Sequence, residues 1–280
     1  MIKPERLLFG TAGIPELAAK AGTVEGIAAA KKLGLGCMEL EFVHSINISR
    51  EKAPLVNEAR NENDIVLTCH APYYINLNAK EKPKWHASIT RITNSVEITS
   101  LCGGYSTCFH PGYRMGDNDE VVYAKIKEAI KAILDELDKK GIKDVWVRPE
   151  TAGRIAQFGT LAETFEICSE FDNVLPCIDW SHIHATSNGK YNTTKEFEDV
   201  LNMMEKKLGK RALQNVHFHC QGVAYSEKGE KNHIMLEDSD LNFKDLVRVW
   251  KDYKLKGAVI AESPRPQADA LLLKKTFENA

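Results

Sequence analysis

Short apolar runs alternate along the chain with longer segments in which apolar residues recur at helical spacing. Between Asp119 and Lys140, for example, the residues Ile126, Ile130 and Ile133 keep the interval of one helix face. Strands alternating with helices are typical of βαβ units and a parallel sheet. The predicted strands lie at residues 7–9, 37–42, 65–70, 105–110, 144–147, 174–178, 215–220 and 257–261.

Eight strands, nearly all followed by a helix, predict an α/β protein with a closed (β/α)8 barrel, the TIM barrel fold. A chain of 280 residues is long for one domain, but barrels of this type reach that length. We find no low-complexity linker and no change in composition that would mark a boundary. The sequence therefore predicts one barrel domain over residues 1–280.

Polar residues able to bind metals close several of the predicted strands. The segment Cys177 to His184 shows the pattern most clearly, because an apolar run stops at Asp179 and is followed by two histidines. Since the carboxyl ends of barrel strands meet at one rim, we expect these side chains to lie together there. The residues at or just past strand ends are His70, His110, Glu150, Asp179, His182, His217 and Glu262.

Imidazoles and carboxylates without thiolates suit zinc, iron or manganese. Each residue taken alone has a plainer explanation, since a strand-end aspartate can cap the next helix and a histidine can bond within a core. Seven such groups at successive strand ends make that explanation improbable for the set. Because residues two apart on a strand share a face, His217 and His219 are both candidates, and Glu39 is expected to pair with Arg148.

Composition narrows the class of protein. The chain has 37 basic and 39 acidic residues, a formal net charge of −2, so any nucleic-acid partner must bind a local basic patch. No apolar run is long enough for a membrane span, and the first residues show no apolar signal core, so we expect a cytoplasmic protein without a membrane partner. The seven scattered cysteines are expected to be buried thiols. We also expect a monomer.

Five segments between about Ile65 and Pro264 together resemble the endonuclease IV family of metal-dependent apurinic/apyrimidinic endonucleases. That family consists of TIM barrels of the xylose isomerase-like superfamily with a trinuclear zinc site. The segments are His70-Ala71-Pro72-Tyr73-Tyr74-Ile75-Asn76-Leu77, Phe109-His110-Pro111-Gly112, Glu150-Thr151-Ala152-Gly153, Cys177-Ile178-Asp179-Trp180-Ser181-His182 and Ala261-Glu262-Ser263-Pro264.

The resemblance implies up to three zinc ions, with Mn²⁺ or Fe²⁺ as substitutes. It implies His70 and His110 on the first ion, with Glu150 bridging to a second ion. The second ion would also be bound by Asp179, Glu262 and His217, which is preferred over His219 for its spacing to Glu230. The third would be bound by His182, Glu230 and His233.

The third site departs from the family pattern. The bacterial motif is Asp-x-His, whereas this chain reads Glu230-Lys231-Asn232-His233, with a longer acid and one additional residue. Glutamate and histidine remain competent ligands, so we expect Glu230 and His233 to complete the third site in an altered geometry.

The implied activity is hydrolysis of the DNA phosphodiester 5′ to an abasic site, which leaves a 3′ hydroxyl. Clustered zinc ions can activate water and stabilise the leaving oxygen, and here Glu150 and Glu262 would be the catalytic carboxylates. An abasic nucleotide is easily flipped out because its base pairing is already lost. Tyr73 matches a family tyrosine that enters the minor groove, and Arg114, Arg154 and Lys231 are candidate phosphate contacts.

Two alternatives remain open. Glu150, Asp179, His217 and Glu262 also match the ligand pattern of xylose-isomerase-like sugar or sugar-phosphate isomerases and epimerases. A catalytically silent barrel that binds metal or DNA is the other alternative. His70, His110, His182 and the Glu230/His233 pair favour the nuclease.

Overall fold

Eight parallel strands form the inner wall of the molecule in a computed structural model that describes residues 4–280. They pair in the order β5-β4-β3-β2-β1-β10-β7-β6, while β8 and β9 form a separate antiparallel hairpin. The predicted (β/α)8 barrel is confirmed. The strands are β1 (Leu7–Ala12), β2 (Cys37–Glu41), β3 (Val66–His70), β4 (Ser106–Phe109), β5 (Trp146–Pro149), β6 (Ile178–Asp179), β7 (Val216–His219), β8 (Gly222–Ser226), β9 (Gly229–Ile234) and β10 (Gly257–Ala261).

The barrel closes between β5 and the segment that leads into β6. Parallel bridges join Val147 to Val174 and Glu150 to Cys177. The backbone N–H of Cys177 donates to the carbonyl of Pro149 at 3.0 Å. The predicted strand 174–178 is therefore extended across this seam, although regular pairing with β7 is confined to Ile178–Asp179.

Helices follow most strands and cover the outside of the barrel. They are α1 (Thr23–Lys32), α2 (Ala53–Asn63), α3 (Lys82–Leu101), α4 (Asp119–Lys139), α5 (Leu161–Ser169), α6 (Trp180–Thr186), α7 (Thr194–Leu208), α8 (Lys210–Leu213), α9 (Phe243–Asp252) and α10 (Pro266–Asn279). Within residues 4–280, none of these helices combines the length and apolar character needed to cross a membrane.

Local sequence explains where the long helices begin and which face they bury. The side chain of Asn118 accepts a hydrogen bond from the backbone of Val121 and so caps α4. In the same helix Ile126, Ile130 and Ile133 are fully buried, as their spacing predicts. Burying each such side chain contributes about 1.5–3 kcal/mol to folding.

Among the elements that were not predicted, helix α6 and the β8–β9 hairpin carry site residues. Helix α6 begins directly after Asp179, so His182 lies in a first helical turn rather than in a loop. The β8–β9 hairpin projects from the carboxyl end of β7 and carries Glu230 and His233.

The predicted pairing of Glu39 with Arg148 is wrong. The Arg148 guanidinium instead donates to the carbonyl oxygens of Pro176 and Asn215 at 2.9 Å, and to the Asn215 side chain at 2.8 Å. Glu39 is fully buried beside His217 and His219. The hydrogen-bond acceptors of the Arg148 guanidinium lie at Pro176, before β6, and at Asn215, before β7. The carboxylate of Glu39 faces the two imidazoles instead.

Candidate metal centre

Glu150 lies directly after β5, and its carboxylate is the meeting point of four imidazoles. Its Oε2 lies 3.2 Å from Nε2 of His70 and 3.7 Å from Nδ1 of His110. Its Oε1 lies 3.2 Å from Nδ1 of His219 and 3.3 Å from Nδ1 of His182. Each oxygen thus faces a different group of ligands, as a carboxylate that bridges two ions must.

The first group comprises His70, His110 and Glu150. The Nδ1 of His70 contacts the carbonyl oxygen of Ala71 at 2.7 Å, which fixes the ring with Nε2 toward Glu150. Nδ1 of His110 and Oε2 of Glu150 are buried and have no hydrogen-bond partner among residues 4–280. Buried polar atoms are rarely left unpaired, so these two atoms fit a site that an ion completes.

The second group comprises Glu150, Asp179, His219 and Glu262, whose ligand atoms lie within 4.8 Å of one another. His219 Nδ1 lies 3.3 Å from Glu262 Oε2. His217, which the spacing to Glu230 favoured, lies deeper in the barrel with Nε2 2.8 Å from Glu39. Side-chain alternation could not choose between the two histidines, because both face inward and differ only in depth.

Asp179 both caps a helix and faces the metal group. Its Oδ1 accepts a hydrogen bond from the backbone N–H of His182 at 2.8 Å. Its Oδ2 accepts one from the Gln221 amide at 2.7 Å and lies 3.3 Å from His182 Nε2. One side chain therefore caps α6 and also faces the candidate ligands, so the structure is compatible with both explanations.

The third group comprises His182, Glu230 and His233. Glu230 Oε2 lies 3.4 Å from Nε2 of His182, and Glu230 Oε1 lies 3.3 Å from Nε2 of His233. The other nitrogen of His233 contacts the Glu262 carbonyl oxygen at 2.9 Å. The predicted pair thus reaches His182, although its sequence spacing differs from the family motif.

A β-bulge accounts for the additional residue between Glu230 and His233. In the hairpin Ala224 pairs with Asn232 and Tyr225 pairs with Glu230, which leaves Lys231 without a partner. Side chains three apart on a regular strand point to opposite faces, but a bulge removes one residue from the alternation. Glu230 and His233 therefore share the face toward His182.

Gly153 lets the hairpin approach the end of β5. A Cβ atom at this position would lie 2.5 Å from Glu230 Oε2 and 2.7 Å from His182 Cδ2. The Gly153 carbonyl also accepts a hydrogen bond from the Glu230 backbone at 2.8 Å. The glycine of the Glu150-Thr151-Ala152-Gly153 segment is thus required by close packing in the third group.

The carboxylates control the protonation of the histidines. Burial disfavours the charged form of His70, but the negative charge of the adjacent Glu150 carboxylate outweighs it and raises the pKa of His70 to about 10. Burial also disfavours the charged form of His233, but the neighbouring Glu230 carboxylate outweighs it and raises the pKa of His233 to about 9. At His110 burial dominates and lowers the pKa to about 4. In the metal-free protein the carboxylates therefore favour the protonated, positively charged forms of His70 and His233.

The residues predicted to contact DNA differ in their exposure and in whether they are already paired with carboxylates. The ring of Tyr73 is half-exposed beside His70, with 5.5 Å between ring centroids. Arg154 is exposed at the edge of a cavity of about 270 Å³ that is lined by His70, His110 and the third group, and Lys231 is exposed on the bulge. Arg114 is paired with Asp119 at 2.5 Å and Glu163 at 2.9 Å. DNA contact by these residues stays a prediction.

Comparison with known proteins places the fold and the site in context. The family model described as Xylose isomerase-like TIM barrel matches residues 27–278. This chain belongs to that family. An uncharacterised protein of Methanocaldococcus jannaschii is 41% identical to it over 97% of both chains. Proteins named for two different activities are also similar to this chain.

A probable endonuclease 4 of Oceanobacillus iheyensis is 30% identical over 57% of this chain and 52% of its own length. The structure of endonuclease IV from Thermus thermophilus has a TM-score of 0.75 at 19% identity and covers 98% of this chain. A D-tagatose 3-epimerase-like protein has a TM-score of 0.73 at 16% identity and covers 97%. The resemblance to endonuclease IV is confirmed, and the His, Glu and Asp clusters are compatible with a metal site.

The bulge generates a test by deletion. Removing Lys231 leaves Glu230 and His233 two apart on a regular strand, so we expect the third group and its metal to be retained. Removing Lys231 and Asn232 together places the two side chains on opposite faces, and metal content should fall by about one ion per chain. Metal analysis of both purified variants checks this, and loss of an ion in the single deletion would contradict it.

Protonation generates a second test. Below pH 9 the raised pKa values keep His70 and His233 protonated in the metal-free protein, so an ion must displace their protons. We expect release of about two or more protons at pH 7.5 and tighter metal binding as the pH rises toward 9. Calorimetry in buffers of different ionisation enthalpy measures the release. Binding without proton release would show that these histidines are not ligands.

Proposed function

We propose that this protein is a metal-dependent apurinic/apyrimidinic endonuclease that cuts the DNA phosphodiester 5′ to an abasic site and leaves a 3′ hydroxyl. The single observation that carries the proposal is the third group, in which the hairpin brings Glu230 and His233 to His182. The four ligands Glu150, Asp179, His219 and Glu262 would suffice for a sugar isomerase. The third group and the His70/His110 pair are additional to them, and they suit a cluster of up to three ions.

Zinc is the ion that the donor set suits best, with Mn²⁺ or Fe²⁺ as substitutes, because imidazole and carboxylate ligands predominate. When bound, such ions would supply Lewis acidity to a phosphodiester and lower the pKa of water. Glu150 and Glu262 are the proposed catalytic carboxylates. In the metal-free protein burial opposes ionisation of Glu262, but the charge of His219 outweighs it and lowers the pKa, so this carboxylate stays ionised.

The surroundings of the centre support a polymeric, anionic substrate. The cavity over His70, His110 and His182 opens between Tyr73, Tyr113 and Arg154, all of which are exposed. An exposed ring at the mouth can fill the space of a lost base, and an exposed guanidinium can bind phosphate. Arg114 is the weakest of the predicted contacts, since two carboxylates already pair with it.

The rival function is a sugar isomerase or epimerase. It is supported by the epimerase-like structural neighbour and by the second group, which the nuclease and the isomerase would share. At 16% identity that neighbour is similar in fold alone. Such an enzyme would not need His182, Glu230 and His233 as ligands, so this group distinguishes the two functions. The monomeric state and the cytoplasmic location remain predictions.

Cleavage of a duplex with one abasic site tests the proposal. We expect Glu262→Gln to lower the cleavage rate at least about 100-fold, because the exchange removes a charged ligand from the centre. His233→Ala should also lower it by weakening the third group. Glu128→Gln, an exchange at an exposed position of α4, is the matched control and should cleave at the wild-type rate.

Three outcomes would contradict the endonuclease. Ketose or ketose-phosphate isomerisation that survives His233→Ala, without DNA cleavage, would identify the sugar enzyme. Full metal content with turnover of neither substrate would identify a silent barrel. Cleavage that leaves a 3′ end other than a hydroxyl would show a different reaction on DNA.

A further inference from the structure

A second cluster of metal-binding side chains lies inside the barrel, beneath the rim. It comprises Glu39 on β2, Cys108 on β4, Cys177 at the seam before β6, and His217 and His219 on β7. All five side chains have an exposed fraction of 0%. Barrel interiors are normally filled by branched apolar side chains, and burying polar groups costs free energy unless they gain partners. This interior cluster therefore needs a specific explanation.

Its geometry is that of a set of ligands. The sulfur atoms of Cys108 and Cys177 and the ring nitrogens of His217 and His219 lie within 4.8 Å of one another. Oε2 of Glu39 is 2.8 Å from His217 Nε2 and 3.8 Å from Cys108 Sγ. A tetrahedral ion with bonds of about 2.0–2.3 Å holds neighbouring ligand atoms about 3.3–3.8 Å apart. The Glu39–Cys108 separation fits this range, and the Glu39–His217 contact would lengthen by about 0.5 Å around an ion.

Hydrogen bonds account for only part of the cluster. Cys108 Sγ lies within hydrogen-bond distance of Glu39 Oε2 and His219 Nε2, both at 3.8 Å, and of the Cys69 carbonyl oxygen at 3.5 Å. Within the described part of the chain, Oε1 of Glu39 and Nε2 of His217 have no hydrogen-bond partner, although both are buried and lie close to other polar atoms. Short contacts without hydrogen-bond alignment are what remains when ligand atoms point at a common centre. The opposite nitrogen of His217 contacts the Ser106 hydroxyl at 2.8 Å. Metal-binding histidines commonly use their second nitrogen in this way.

We propose that Cys108, Cys177, His217 and Glu39 bind an additional thiophilic metal ion, such as Zn²⁺, in the barrel interior. Two sulfur ligands distinguish this ion from those at the rim, whose proposed ligands contain none. With four protein ligands and no open position, the ion is structural. It joins β2, β4, β7 and the seam before β6 across the interior.

His219 separates the interior site from the rim. Its Nε2 lies 2.9 Å from Glu39 Oε1, and its Nδ1 faces Glu150 and Glu262. With its proton on Nε2, the ring presents the lone pair of Nδ1 to the rim. The interior ion does not depend on the endonuclease proposal, because none of its four ligands belongs to the rim groups.

Cobalt substitution tests the proposal on the full chain refolded with Co²⁺. We expect near-ultraviolet absorption from sulfur-to-cobalt charge transfer in the wild type. The Cys108→Ser/Cys177→Ser double variant should lose this absorption and about one ion per chain. Cys168→Ser, which changes a buried cysteine of α5, is the matched control and should keep both. Wild-type protein that binds cobalt without this absorption would overturn the proposal.

A measurement on the wild type alone covers the case in which the double variant does not fold. X-ray absorption at the zinc edge should show sulfur neighbours at about 2.3 Å. A spectrum that needs only nitrogen and oxygen neighbours would overturn the proposal and show that Glu39 and the imidazoles are held without an ion.

Discussion

The rim is built around one buried carboxylate. Glu150 is fully buried, and its two oxygens face four imidazoles that come from β3, the loop after β4, α6 and β7. A buried carboxylate is costly unless positive charge or hydrogen bonds compensate it. The elements that carry those imidazoles must therefore close around it, and bound cations would provide the compensation most completely. The barrel supplies the convergence, because the ends of its parallel strands meet at one mouth.

Much of the fold followed from the alternation of apolar runs and amphipathic segments. The strand ends also located the rim, since His70, Glu150, Asp179 and Glu262 lie at or directly after β3, β5, β6 and β10. These predictions depend on local periodicity and on one geometric property of parallel barrels. Both are readable from the sequence without knowledge of the packing.

The depth of a side chain within the barrel could not be read in this way. His217 and His219 share a face, and only the height of β7 relative to β5 and β10 decides that His219 reaches Glu150 and Glu262. The partner of Glu39 was mistaken for the same reason. Strand stagger is a property of the closed sheet, whereas parity along one strand is local.

The hairpin was missed although the sequence contained a signal for it. The turn between β8 and β9 is Glu227-Lys228, and it is followed by Gly229, which has a φ of 95°. The bulge at Lys231 appears only in the pairing of β8 with β9. Because the inserted residue leaves the strand's alternation, Glu230 and His233 share one face despite the longer spacing of the motif.

The central claim is that the Glu150 carboxylate lies between two ion positions and that a third position lies beside them. Anomalous diffraction from crystals containing zinc tests this claim most directly. The account predicts rim peaks on both sides of the Glu150 carboxylate, one near His70 and His110 and one near Asp179, His219 and Glu262. A further rim peak should lie among His182, Glu230 and His233. A rim with no ion against Glu150, or with His233 turned away from His182, would contradict it.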